Sequence, residues 1–115
     1  MKVNGLEVKR SSRTHLWVGA VRHDVRWECT GGSYIAELPA LAALLIVWND
    51  GLGWWEAHVC LEHTERHRSE HGSLRRAQRA AVRALCRGLR LREAAAERAE
   101  EAREGGTPPS EDGPR

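Results

Sequence analysis

Between Leu74 and Arg92 the chain carries seven arginines (Arg75, Arg76, Arg79, Arg83, Arg87, Arg90 and Arg92) and no acidic residue. A guanidinium offers a planar fork of donors that pairs bidentately with phosphate or carboxylate, so a row of them is chemistry for holding an anion. On a helix, Arg76, Arg79, Arg83, Arg87 and Arg90 share one face within a sector of about 80°. Leu74, Ala77, Ala81, Leu85 and Leu89 fall on the opposite face. This stripe reads as a surface for nucleic-acid phosphates or for an acidic protein partner. The plain alternative is a solvated helix face in an arginine-biased chain, since arginine outnumbers lysine sixteen to two. Such a bias does not explain why acids are absent from 74–92 and crowded into 93–104, where five glutamates accompany two arginines.

A second constellation places His58, Cys60, His63, His67 and His71 within fourteen residues. Zinc takes four nitrogen or sulfur ligands in a tetrahedron, and these residue types supply them, so a zinc-stabilised domain is a third reading. His58 and Cys60, two apart on a strand, point to the same outward side. His63, His67 and His71, four apart, line one face if that stretch is helical. Against a metal site, the spacing matches no standard finger and contains no Cys-x2-Cys half. Glu62, Glu65, Arg66, Arg68 and Glu70 are interleaved as in a solvated loop. His63-Thr-Glu-Arg-His67 also sets its glutamate at the wrong offset for the metalloprotease order His-Glu-x-x-His.

Five tryptophans (Trp17, Trp27, Trp48, Trp54, Trp55) with no phenylalanine supply most of the aromatic area. Trp27 and Trp55 have apolar face-mates and go to the core, whereas Trp54 shares a face with Glu56, His58 and Cys60. An exposed indole there is a candidate stacking platform for bases. Cys29 and Cys86 read as small buried or half-buried hydrophobes. A P-loop, a dinucleotide glycine motif and a Gly-x-Ser-x-Gly elbow are all absent. No catalytic residue is assigned, and the expectation is a non-enzymatic protein.

These side chains need elements to hold them. Val3 to Lys9 alternates weakly, as an edge strand would. His15–Arg22 reads as a strand, His23-Asp24 as a hairpin turn, and Val25–Thr30 as a half-buried strand ended by Gly31-Gly32-Ser33. Residues 36–42, with Pro39, read as irregular or a single helical turn, and 43–48 as a buried strand running into Asn49-Asp50-Gly51. A strand follows over 55–61, then a polar loop, in part helical, over 62–72. Ser73 is a good N-cap for a helix over 74–104, about 46 Å long, stopped by Gly105-Gly106. Only alanines (94, 95, 96, 99, 102) line the apolar side of its distal part, too little for a strong coiled coil.

The totals set bounds. At 115 residues the chain is expected to form one domain over 1–92, with an acidic helical extension over 93–104 and a disordered tail over 105–115. The net charge of +2 conceals segregation: −1 over 1–73, +7 over 74–92, −3 over 93–104 and −1 in the tail. No leader is expected at the N-terminus. The longest apolar run, Leu38–Trp48, is eleven residues broken by Pro39, short of the roughly 20 that span a bilayer. Three cysteines, an odd number, fit a reducing cytoplasmic setting rather than a disulfide framework.

The Trp-bearing hairpin Leu44–Trp48/Trp54–Leu61, followed by Gly72-Ser-Leu-Arg-Arg-Ala-Gln-Arg-Ala-Ala81, resembles the closing half of many small uncharacterised proteins from actinobacteria and their phages. Those are similar in ending with such a hairpin and a Ser-Leu-x-x-Ala-Gln-x-Ala-Ala helix. The resemblance implies a fold, not a chemistry, and carries over no site residue. The expected architecture is α+β: an antiparallel sheet of four or five strands covered on one face by the C-terminal helix. Leu16, Val18, Val25, Trp27, Ile46, Trp55, Val59, Leu74, Ala81, Leu85 and Leu89 form the expected core. The leading expectation is a small nucleic-acid-associated binding module acting through Arg75, Arg76, Arg79, Arg83, Arg87, Arg90 and Trp54. The runner-up is a regulatory or inhibitory protein docking an acidic partner.

Overall fold

The computed structural model describes residues 12–104, together with the backbone of two short strands near the N-terminus. Those strands, β1 (Lys2–Val3) and β2 (Leu6–Glu7), pair antiparallel with each other, so the weakly alternating start holds two short strands rather than one edge strand. The remainder of that expected strand and the expected 105–115 tail lie outside the described residues.

A second hairpin joins β3 (His15–Val18) to β4 (Val21–Asp24), with Trp17 opposite Arg22 and Val18 opposite Val21. The turn is therefore at Gly19-Ala20, not at His23-Asp24. Gly19 adopts φ +62°, the left-handed conformation that glycine takes without a Cβ clash. Val25–Thr30 is likewise not one strand. Only Glu28–Thr30 (β5) is extended, while Trp27 lies in the preceding connection, its indole N–H donating to the Arg13 carbonyl at 2.7 Å.

The main sheet is antiparallel and five-stranded in the order β5, β6 (Ser33–Leu38), β7 (Ala43–Asn49), β8 (Trp55–Leu61) and β9 (Thr64–His71). Gly31-Gly32 forms the β5–β6 turn, and a short 3-10 turn at Pro39–Leu41 joins β6 to β7. The polar stretch expected as a loop is the edge strand β9. It carries no apolar residue, so hydropathy gives no alternation; the period of two lies in half-buried His67, Ser69 and His71 between exposed Arg and Glu. Glu62 and His63, both left-handed (φ 55° and 67°), make the tight turn into it without the usual Asn-Gly pair. Charged side chains suit an edge strand, because they oppose pairing with stray chains.

Helix α1 runs Leu74–Glu104, with the Ser73 hydroxyl accepting from the Arg76 N–H at 3.2 Å. It buries Ala77, Gln78, Ala81, Val82, Ala84, Leu85 and Leu89 against one face of the sheet. Cross-strand register makes that face Ala36 and Leu38, Ala43, Leu45 and Val47, then Ala57, Val59 and Leu61. Leu16, Val25 and Leu41 complete the core, with Val18, Trp27, Trp55 and Leu74 among the residues packed at its margin. The expected core member Ile46 lies on the other side of the sheet, opposite His58, while Leu45 and Val47 are fully buried. In an uninterrupted apolar run nothing in the strand itself tells odd positions from even ones. Cys29, expected to be buried or half-buried, is exposed on the short edge strand β5.

Candidate nucleic-acid interface

The arginine stripe is mounted on the outward side of α1. Arg75, Arg76, Arg79, Arg83, Arg87 and Arg90 are all exposed, and none has an ion-pair partner among the described residues. The row from Arg76 to Arg90 covers about 21 Å of helix axis. Its mount is rigid because the opposite side of the same turns is core: Ala77, Ala81 and Leu85 are completely buried. The seventh arginine has another task. Arg92 donates to Glu62 Oε2 at 3.1 Å and to the Leu41 carbonyl at 3.3 Å, tying the helix to two turns at the far end of the sheet.

The strand β9 widens this basic surface. A groove of about 530 Å³ between β9 and α1 is lined by Leu61, Ala84 and Gly88 together with Arg66, His67, Arg87 and the paired Arg92 and Glu62. Partial burial and the nearby Arg87 guanidinium, with smaller contributions from His71 and His58, hold the His67 imidazole below its ordinary value. His67 is also the end of a short relay along β9. Its Nε2 lies 2.8 Å from Ser69 Oγ, which is 2.6 Å from His71 Nε2.

Trp54 is half exposed in the β7–β8 turn, where its backbone N–H donates to Asp50 Oδ1. The strand register places this turn at the same end of the sheet as Ser73, the start of α1. Trp54 is therefore set apart along the fold from Arg87 and Arg90, near the other end of the stripe.

The five candidate metal ligands are not brought to one point. Adjacent positions on β8 and β9 alternate between faces: His58 and Cys60 lie on the open side of the sheet, while His67 and His71 pair with Val59 and Trp55 on the helix side. His63 occupies the intervening turn. The arrangement with His63, His67 and His71 on one helical face falls with the helix it needed. Among the described residues, the one group of three or more potential ligands whose donor atoms lie within 4.8 Å of one another is Asp50, Glu56 and Glu70.

The open side holds a polar cluster that sequence spacing did not bring together. His58 is buried there, its Nε2 3.1 Å from Glu56 Oε1 and its Nδ1 3.3 Å from Glu65 Oε1. Trp48 stacks on its ring at 4.2 Å, and Arg68 reaches Glu56 at 3.4 Å. The pairing of Trp48 with Glu56 and of His58 with Arg68 builds the cluster, and it depends on the registers of two hairpins.

Among the described residues, no helix is long and apolar enough to cross a membrane. No family model, no curated protein and no solved structure matches this chain.

Proposed function

We propose that this protein is a small non-enzymatic binding module that engages nucleic-acid phosphates through Arg76, Arg79, Arg83, Arg87 and Arg90, with Arg75 and Arg66 at the margins. The reading rests on one observation: these guanidinia are exposed, without carboxylate partners among the described residues, and fixed along one helix whose other side is core. Contact with backbone phosphates needs no further specificity, and about 21 Å of axis matches roughly six base pairs of duplex. The β9 groove adds Arg66 and the His67 ring beside Arg87.

The test is binding of labelled duplex and single-stranded DNA across a salt series. Five phosphate contacts give a slope of about −4.5 in log affinity against log salt, or roughly a 500-fold loss between 50 and 200 mM. Replacing Arg79, Arg83 and Arg87 together by glutamine removes about three contacts and flattens the slope by about 2.7. Absence of binding to either DNA at low salt refutes the nucleic-acid reading and leaves an acidic protein surface as the ligand of the same stripe.

A further inference from the structure

The stripe does not end at Arg90. Arg76, Arg83, Arg90, Glu97 and Glu104 recur every seven residues along α1, with Arg79, Arg87, Glu93 and Glu101 in the intervening positions. A seven-residue repeat keeps a row of side chains facing a partner helix that coils gently around it, because the helix drifts by only about 20° per heptad. Along this row the sign changes once. Its centre is Arg90, and the two halves mirror each other about it: Arg87 with Glu93, Arg83 with Glu97, Arg79 with Glu101, and Arg76 with Glu104.

We propose that a second copy of this chain docks antiparallel along α1, so that the acidic segment of each helix covers the arginine stripe of the other. The two-fold axis passes near Arg90, which meets its own copy there as the single like-charge contact of the row, and each of the four Arg–Glu pairings is made twice. Reach agrees with this geometry, since Glu93–Glu104 and Arg76–Arg87 each cover about 17 Å of axis. Both surfaces are free to be used. Residues 95–104 are exposed on every side, and neither those glutamates nor the stripe arginines form an ion pair among the described residues.

The charge pattern also works against the single helix. Arg75/Arg79, Arg79/Arg83, Arg83/Arg87, Glu93/Glu97, Glu97/Glu101 and Glu100/Glu104 are like-charge neighbours at i,i+4, which destabilise a helix on its own. The first turn has no acid and carries Arg75 and Arg76, while the last five residues hold three glutamates against the single Arg103, so the net charge at both ends opposes what the helix dipole favours. An antiparallel copy places opposite charge beside every one of these repulsive runs. The apolar content of the contact is small, essentially alanine, so the pairing is held by charge and gives way to salt.

This inference does not depend on which anion the stripe binds; its consequence is that self-association and nucleic acid compete for the same arginines. The test is sedimentation equilibrium of the full chain without nucleic acid, at about 1 mM, which populates even a millimolar-affinity dimer. Two salts are compared, about 0.01 M and about 1 M, where the Debye length is about 30 Å and about 3 Å. The wild type sediments as a dimer at low salt and a monomer at high salt. Two charge-reversed chains, Glu93→Arg/Glu97→Arg/Glu101→Arg and Arg79→Glu/Arg83→Glu/Arg87→Glu, are each monomeric alone and form a one-to-one dimer when mixed at low salt. All six positions are exposed, and circular dichroism verifies the helix; if a reversed chain does not fold, the corresponding glutamine chain is monomeric in its place. A wild type that is monomeric at low salt overturns the proposal. So do reversed chains that dimerise alone, or a mixture that stays monomeric. Because no DNA is present, the result stands apart from the outcome of the DNA titration.

Discussion

Truncating Leu45 and its neighbour Ile46 to alanine, one at a time, measures which side of β7 faces the core. Leu45 is completely buried, paired with Ala36 and Val59 under α1, whereas Ile46 is half-buried on the open side beside Ile35 and His58. Removing the Leu45 side chain forfeits its transfer free energy and leaves a cavity that the sheet cannot close, a cost of about 3–5 kcal/mol. Removing the Ile46 side chain exposes no cavity and loses roughly half of a full burial, about 1 kcal/mol. A small domain has a total stability of about 5–15 kcal/mol, so the first variant is marginal and the second nearly intact. Urea unfolding followed by tryptophan fluorescence and by far-ultraviolet circular dichroism gives both values, with unchanged m-values showing that the folded state is the same. If Leu45→Ala does not fold while Ile46→Ala keeps a near-native midpoint, the ordering is the same. An Ile46→Ala cost equal to or above that of Leu45→Ala refutes the register.

Three further outcomes follow from local geometry. The folded state holds the His67 proton more weakly than the unfolded chain does, so below the ordinary imidazole range the unfolded state binds a proton that the folded state refuses. Stability therefore falls as pH drops from above the ordinary value to the lowered one, and His67→Gln makes that decline shallower in urea melts at pH 7 and pH 5. Ser73→Ala removes the side-chain cap of a helix whose first turn has no acid to compensate, and costs about 1 kcal/mol by the same melts. Gly19→Ala meets no neighbour within 4 Å but must hold φ +62°, so its cost of about 1–2 kcal/mol is conformational, and an unchanged midpoint removes that explanation.

How much of this could be read along the chain depended on where the signal was stored. The α+β class, the strands at 43–48 and 55–61 and the helix with its Ser73 cap were legible, since hydrophobic period and capping chemistry are local. The outward direction of the stripe followed from helical spacing alone. The β9 edge strand was not legible, because Thr64–His71 contains no apolar residue and its turn uses Glu62-His63 in place of a glycine. That one element decided the fate of the histidines: as a strand it sends His67 and His71 to the helix side and leaves His58 on the open side. The turn at Gly19 was not legible because His23-Asp24 offers equally plausible turn chemistry one strand too late, at the end of β4.

The amino-acid sequence by itself determined a long helix with one face for packing and one for charge. It also determined the division of that charge into a basic half and an acidic half, since both are matters of spacing on a single element. Tertiary structure decided the rest. Strand register chose Leu45 over Ile46 for the core and assembled Glu56, His58, Glu65, Trp48 and Arg68 from three strands. It separated Arg92, committed to Glu62 and Leu41, from six exposed arginines of the same helix that form no ion pair among the described residues. The physical reason is that a helix carries its own periodicity in its backbone hydrogen bonds. A strand acquires its faces only when a neighbour fixes its register.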